Sequence, residues 1–258
     1  MASIVKILGN RIDCFTSYKA LYDHILADKR SSNTLQGYVT VNNVHTMMEG
    51  YWSAEYQEII NNGYLAIPDG KPLEIVGKIK GNKHISRLFG PSVMEYFIDW
   101  GRADQIKHFF FGSSEENLRK LHAVIESKYP GANIVGMISP PYKPVEEWDN
   151  EFFIREINSV KPDFIWIGLG APKQERWMYK NYKRIDKGIL FGIGAGFDYL
   201  SGNTKHAPAW MKNASLEWVY RLIQEPKRLW KRYFKTIPPF LFLASMEILD
   251  VNLKGNKN

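Results

Sequence analysis

Cysteine is almost absent, Cys14 being the single one in 258 residues. That excludes an internal disulfide and a cysteine-cluster metal site, and it fits a reducing compartment. The six histidines, at 24, 45, 84, 108, 122 and 206, are scattered, and no His-Glu-x-x-His run occurs. No Asp-x-Asp pair offers the usual carboxylate grip on a nucleotide-sugar's divalent ion. A Gly-x-Ser-x-Gly elbow and a Gly-x-x-x-x-Gly-Lys-Ser/Thr loop are missing too. Neither the run from Gly168 through Gly170 to Lys173 nor that from Gly192 to Phe197 completes a Gly-x-Gly-x-x-Gly fingerprint. Hydrolase, metal-enzyme and dehydrogenase readings all weaken.

Long apolar runs are also lacking. Phe240 to Ala244 is the longest candidate, far short of the roughly 20 residues a bilayer span needs. The stretch Met1 to Gly9 is broken by Lys6 and carries no signal-peptide apolar region. A cytoplasmic protein, peripheral to the membrane's inner face, is expected. Acidic residues are in deficit, 27 against 34 Lys plus Arg, for a net charge of +7. Anionic partners follow: nucleotide phosphates, an acidic membrane surface or nucleic acid.

What is present is ordinary globular composition, 45% hydrophobic and 24% charged, enough for a sizeable core. The stretch from Lys161 to Trp177 organises the rest. Phe164 to Ile167 is short, β-branched and aromatic, which reads as a buried strand. Gly168 and Gly170 suit a tight turn or close ligand approach, and Pro172 suits a first helical turn. Lys173, Gln174 and Arg176 then stand at a helix start. A strand, glycine turn and helix N-terminus form the α/β arrangement that receives phosphorylated ligands.

Strands are expected at 4–8, 12–15, 37–41, 64–67, 106–111, 133–138 and 189–192. Helices are expected at 17–29, 45–61, 91–100, 115–129 and 147–160, with a basic loop at 78–83 and loop residues at Ser31 to Asn33. From Tyr64 onward strand and helix alternate, which implies a parallel sheet wrapped by helices.

Thr40 and Asn42, two apart on a strand, face one side and can bond a sugar or phosphate, or serve as a strand threonine and a cap. Asp69 lies between Pro68 and Gly70 at a strand end, where it can act as a general base or bond only its own turn. Arg87 can hold phosphate oxygens, with Lys78, Lys80 and Lys83 upstream as helpers or as a solvated face. Gly112 ends another strand, and Asp198 with Tyr199 follows the second glycine run. From Leu216 to Lys235 bases and aromatics interleave, with Lys227, Arg228, Lys231, Arg232 and Lys235 at helical spacing. That reads as an interfacial membrane helix, a nucleic-acid face or a packed terminal helix.

Taken in order, several motifs resemble the WecG/TagA/CpsF family, glycosyltransferase family 26. They are Thr40-Val-Asn42, Pro68-Asp69-Gly70, Arg87 with Gly90, and Gly168 through Glu175. To these add Gly194-Ala-Gly-Phe-Asp198, Ala207-Pro208, Leu216-Glu-Trp218, Tyr220-Arg221-Leu222 and Gln224-Glu-Pro226. The chain departs from the pattern at Pro91-Ser92, where an Asp is frequent, and at His206, where an Arg is usual.

The resemblance implies an inverting, metal-independent transfer from a UDP-sugar to a polyprenyl-diphosphate-linked saccharide. The donor sugars it implies include N-acetylmannosamine, its uronic acid, glucuronic acid or a related hexose. Asp69, Thr40 and Asn42 are then catalytic. Arg87, Gly112, Gly168, Gly170, Lys173, Gln174, Asp198 and Arg221 contact substrate. No cofactor and no nucleic acid are expected; an anionic membrane surface is, and an oligomer is left open. The fold expected is an α/β, Rossmann-like core over 1–215 with a basic amphipathic helical appendage over 216–258 that associates with the membrane and partly closes the active site. A non-catalytic module that binds nucleotide or anionic polymer is the alternative.

Overall fold

The computed structural model describes residues 3–32, 34–208, 210–211 and 216–255, with side chains to residue 250. Met1, Ala2, Asn33 of the expected loop and the expected domain boundary at Ser215 lie outside the described residues.

A six-stranded sheet carries the fold. Its strands are β3 (Gln36–Asn42), β4 (Leu65–Pro68), β5 (Lys107–Gly112), β6 (Asn133–Ile138), β7 (Phe164–Gly168) and β8 (Gly188–Gly192). They stand in the order β4-β3-β8-β7-β5-β6, with every pairing parallel. Phe164 and Trp166 of β7 point into one apolar layer, Ile165 and Ile167 into the other. Phe110 of β5 lies in the first, Phe109 and Phe111 in the second. Burial on both faces explains why these strands read as unbroken apolar runs rather than alternating ones.

Helices α1 (Tyr18–Ser31), α5 (Gly90–Gly101), α6 (Glu115–Lys128) and α9 (Gly196–Leu200) cover one face. The other is covered by α2 (Val44–Trp52), α3 (Ala54–Asn61), α4 (Lys71–Ile79), α7 (Asn150–Val160) and α8 (Lys173–Asn181). Aromatic anchors tie them down: Phe111 stacks on Trp177 at 4.6 Å, and Phe97 meets Phe191 edge-on at 5.8 Å. Each such buried ring contributes on the order of 2–3 kcal/mol. A hairpin, β1 (Ser3–Ile7) and β2 (Asn10–Cys14), closes the β4 edge, where Asp13 Oδ2 accepts the Ala66 N–H at 2.7 Å.

Two expectations need correction. The helix expected over 45–61 is two helices, because Ser53 is extended (φ −131°, ψ 111°). Its N–H closes α2 on Glu49 O at 3.0 Å, and its hydroxyl caps α3 by accepting Tyr56 N–H at 3.2 Å. The basic loop at 78–83 begins inside α4, and Lys78 and Lys71 both bind Glu74, at 2.6 and 2.8 Å. Gly77 hid that helix: a Cβ there would lie 2.6 Å from Ile85 Cδ1, so close packing selects the glycine.

The tail folds as α10 (Glu217–Gln224) and the long α11 (Pro226–Gly255), which contains Pro238 and Pro239. Leu229, Thr236, Phe240 and Ala244 of α11 are buried. Phe240 and Ala244 join the apolar layer that contains Met47 and Met48 of α2. Glu247 binds Lys80 at 2.7 Å and accepts the Leu8 N–H at 3.1 Å. No helix among the described residues is long and apolar enough to cross a membrane.

Candidate active site

Parallel strands end on one edge, so Asn42, Asp69, Gly112 and Gly168 gather there. The Asp69 N–H donates to Asn42 O at 2.7 Å, continuing the β3–β4 ladder past its last pair. Asp69 Oδ1 then accepts the N–H of Gly90, the first residue of α5, at 2.7 Å. The carboxylate therefore caps a helix whose own N-cap residue, Phe89, supplies no side-chain bond. Burial pushes the Asp69 carboxyl above its ordinary range; Arg87, the Gly90 N–H and Arg221 pull it back, and Glu217 pushes it up further.

Arg87 is fixed on several sides. Its N–H donates to Glu74 Oε2 at 3.0 Å, and its Nε to the Asp69 carbonyl at 2.7 Å. Nη2 donates to Glu217 Oε2 of α10. The guanidinium lies 4.7 Å from the Phe89 ring centroid. Arg221 sets its guanidinium 5.6 Å from the Tyr199 ring centroid. Tyr199 in turn packs against His206 at 4.8 Å and Phe89 at 5.4 Å. His206 thus supplies a ring to this aromatic group. Four buried polar atoms around this group have no hydrogen-bond partner: Asn42 Oδ1, Tyr199 Oη, Glu217 Oε1 and Arg221 Nε. Such atoms cost about 1–3 kcal/mol each unless something satisfies them.

A second group lies where β5 and β7 run side by side. A Cβ on Gly112 (φ +127°) would lie 2.6 Å from the Gly168 carbonyl, so only glycine lets these strand ends approach. Beyond Gly112, the Asn117 amide of α6 donates to Asp198 Oδ1 at 2.9 Å and to Ser113 Oγ at 2.8 Å. Asn117 Oδ1 accepts from Asn203 at 2.7 Å. Burial raises the Asp198 carboxyl above its usual range, with Glu225 adding to it and Arg228, Arg221 and Asn117 opposing.

Thr40 and Asn42 do share a side, but they bind each other. Asn42 Nδ2 donates to Thr40 Oγ1 at 2.8 Å, and both residues are fully buried. Gln174 turns inward, its Oε1 accepting the Gly170 N–H at 3.1 Å and its Nε2 donating to Glu175 at 2.7 Å. It stiffens the glycine turn from within. Gly170 (φ +79°) has open space where a Cβ would be, so its backbone conformation selects glycine. Lys173 is exposed and sets its ammonium 5.3 Å from the Trp148 ring centroid; no described polar contact joins it to Asp69 or Arg87. Among the described residues no three His, Cys, Asp or Glu side chains gather into a metal-ligating group.

Sequence reasoning gave no role to Asn117 or Glu217. Asn117 left a signal, because it falls on the buried stripe of α6 with Leu118, Leu121 and Ile125, where an apolar residue is expected. Glu217 stands in the Leu216-Glu-Trp218 motif, but nothing there points to its partner Arg87, 130 residues away.

Comparison with known proteins gives the context. The model of the glycosyl transferase WecG/TagA/CpsF family matches residues 5–253. A protein of Bacillus subtilis, named N-acetylglucosaminyldiphosphoundecaprenol N-acetyl-beta-D-mannosaminyltransferase, is 30% identical over 194 residues, 75% of this chain and 73% of its own. Proteins of the same name from Bacillus spizizenii and Staphylococcus aureus are 28% and 26% identical, over 79% and 72% of this chain and 77% and 71% of theirs.

Proposed function

The chain belongs to the WecG/TagA/CpsF family of glycosyltransferases, and from that premise we propose that it moves an N-acetylmannosamine-type sugar from a UDP donor to a polyprenyl-diphosphate-linked N-acetylglucosamine. The names of the relatives state the sugar and the acceptor for those proteins. Bacterial cell-surface polysaccharide or teichoic acid synthesis is the setting. The non-catalytic alternative does not fit a glycosyltransferase family.

The observation that carries the reading is Asp69. Its Oδ1 is held by Gly90, and burial raises its affinity for a proton. In the proposed step, an acceptor hydroxyl attacks the anomeric carbon from the face opposite the nucleotide. The new C–O bond forms as the bond to the β-phosphate oxygen breaks. UDP leaves with that electron pair, and the hydroxyl proton passes to Asp69. A base with a raised pKa is better matched to a sugar hydroxyl than an exposed aspartate.

Departing diphosphate gathers charge that must be neutralised. Arg87 and Arg221 supply fixed cations beside Asp69, which supports a metal-independent transfer. The Gly112–Gly168 approach and Asp198, held by Asn117, form the donor side of the cleft in this reading.

The tail is proposed to act at the membrane and to complete the site. Trp230, Phe234, Leu241, Phe242, Met246 and Leu249 of α11 are exposed, Phe234 by 79% and Phe242 by 65%. Lys227 and Lys231 are exposed on the same helix. An apolar strip with adjacent cations suits an acidic bilayer surface, where the lipid-linked acceptor resides. A screen of UDP-sugars against synthetic polyprenyl-diphosphate N-acetylglucosamine, read by mass spectrometry, tests the proposal. Transfer from UDP-N-acetylmannosamine is expected; no transfer from any UDP-sugar to that acceptor would refute it.

A further inference from the structure

The Arg87–Glu217 pair joins the core to the first turn of α10. Glu217 is only 8% exposed, which is unusual for a glutamate. One carboxylate oxygen, Oε2, accepts from Arg87 Nη2. The other, Oε1, is buried without a hydrogen-bond partner. Arg87 in turn reaches the main chain of Asp69 through Nε, at 2.7 Å. A single guanidinium thus spans from the tail helix to the strand end that presents Asp69. Planar, multidentate anchoring of this kind fixes orientation in a way a lysine would not.

We infer that Glu217 is a positioning residue for the transfer: it holds the Arg87 guanidinium in register with Asp69 and keeps a negative charge facing the Asp69 carboxylate. The inference rests on Asp69 being the base. Two consequences follow from the geometry. Without Glu217, Arg87 loses its outer anchor and the strand-end loop loses a constraint. The like charge that opposes ionisation of Asp69 is then also gone. Groups that face Asp69 are Arg87, the Gly90 N–H, Glu217 and Arg221, together with the Tyr18 and Tyr199 hydroxyls. Among these, Glu217 is the carboxylate that opposes ionisation of Asp69.

The test uses the full-length protein, with UDP-N-acetylmannosamine and a soluble acceptor analogue. Glu217→Gln keeps the shape and removes the charge. Its kcat should fall about tenfold, as a small misplacement of catalytic groups predicts, with a smaller change in donor KM. The acid limb of kcat/KM should move to lower pH, because a like charge beside Asp69 is gone. A merely structural role would lower activity or melting temperature without moving that limb. Glu217→Asp keeps the charge, so its limb should stay with the wild type. Carbon-detected NMR titration of the Asp69 carboxyl in wild type and both variants reads the same shift without turnover. A wild-type limb and wild-type kcat in Glu217→Gln would overturn the inference, as would a limb in Glu217→Asp that moves with the Gln variant. Asp69→Asn is run beside them. If that variant stays active, the base assignment itself fails; if it is inactive while Glu217→Gln is normal, the inference alone fails.

Discussion

The N–H of Gly90 donates to Oδ1 of Asp69 at 2.7 Å, so the first residue of α5 fixes a carboxylate delivered by β4. Among the described residues no donor is bonded to the second oxygen, Oδ2. That arrangement permits a one-sided base: one oxygen oriented, the other free to take a proton.

Asp69→Asn should lower turnover by about 10²- to 10⁴-fold while UDP affinity, read by calorimetry, changes little. The ionised form is the base, so wild-type activity is lost as pH falls through the Asp69 pKa. Burial raises that pKa, so the limb lies above the range of an exposed aspartate. Stability runs the opposite way. The folded carboxyl binds its proton more tightly than an unfolded one, so ionising it costs stability as pH rises through the interval. Asp69→Asn should therefore remove part of that loss, seen as a flatter melting temperature against pH. Near-normal turnover in the variant, with chemistry rate-limiting, would remove the assignment.

Metal independence is expected from the missing Asp-x-Asp pair and from the fixed cations Arg87 and Arg221. Turnover in excess chelator should match the untreated enzyme. Complete loss, restored by manganese or magnesium, would show the diphosphate to be metal-held.

The outer side of α11 can be changed without disturbing its buried side. Phe234→Ser with Phe242→Ser should weaken flotation with acidic liposomes at any salt concentration. Lys227→Gln with Lys231→Gln should weaken it chiefly at low salt, by about 1 kcal/mol per cation. Both pairs should leave transfer to a soluble acceptor intact. By contrast, deleting the helix removes Phe240 and Ala244 from the core, so truncation should also lower the melting temperature. Unchanged flotation in both double variants would leave the exposed strip without a membrane role.

Asn117→Ala removes side-chain bonds to Ser113, Asp198 and Asn203. A stability loss of about 1–3 kcal/mol is expected from denaturant melts. If Asp198 contacts the donor, donor KM should rise more than kcat falls. A variant with wild-type KM and only lower stability would confine Asn117 to packing.

Much of this protein is determined locally and was legible from the sequence. Phe164 to Ile167 formed a strand because both faces of a parallel sheet are buried, so an apolar run is what that position demands. Gly168, Gly170 and Asp69 sat at element ends, where turn chemistry writes itself into residue type. Helix α4 and the break at Ser53 escaped, because Gly77 answers to Ile85 and Ser53 serves two helices at once.

Tertiary structure alone decided which polar groups work together. Thr40 and Asn42 were paired with each other, and Gln174 with its own turn, because a buried amide or hydroxyl loses its water and most such groups take a near partner instead. It also placed Glu217 on Arg87 and Asn117 on Asp198. No spacing rule reaches across 130 or 81 residues. Only the shared strand-end edge, to which β4, α6, α9 and α10 all deliver side chains, sets those groups at contact distance, and burial there, not pairing, dominates the Asp69 and Asp198 carboxyls.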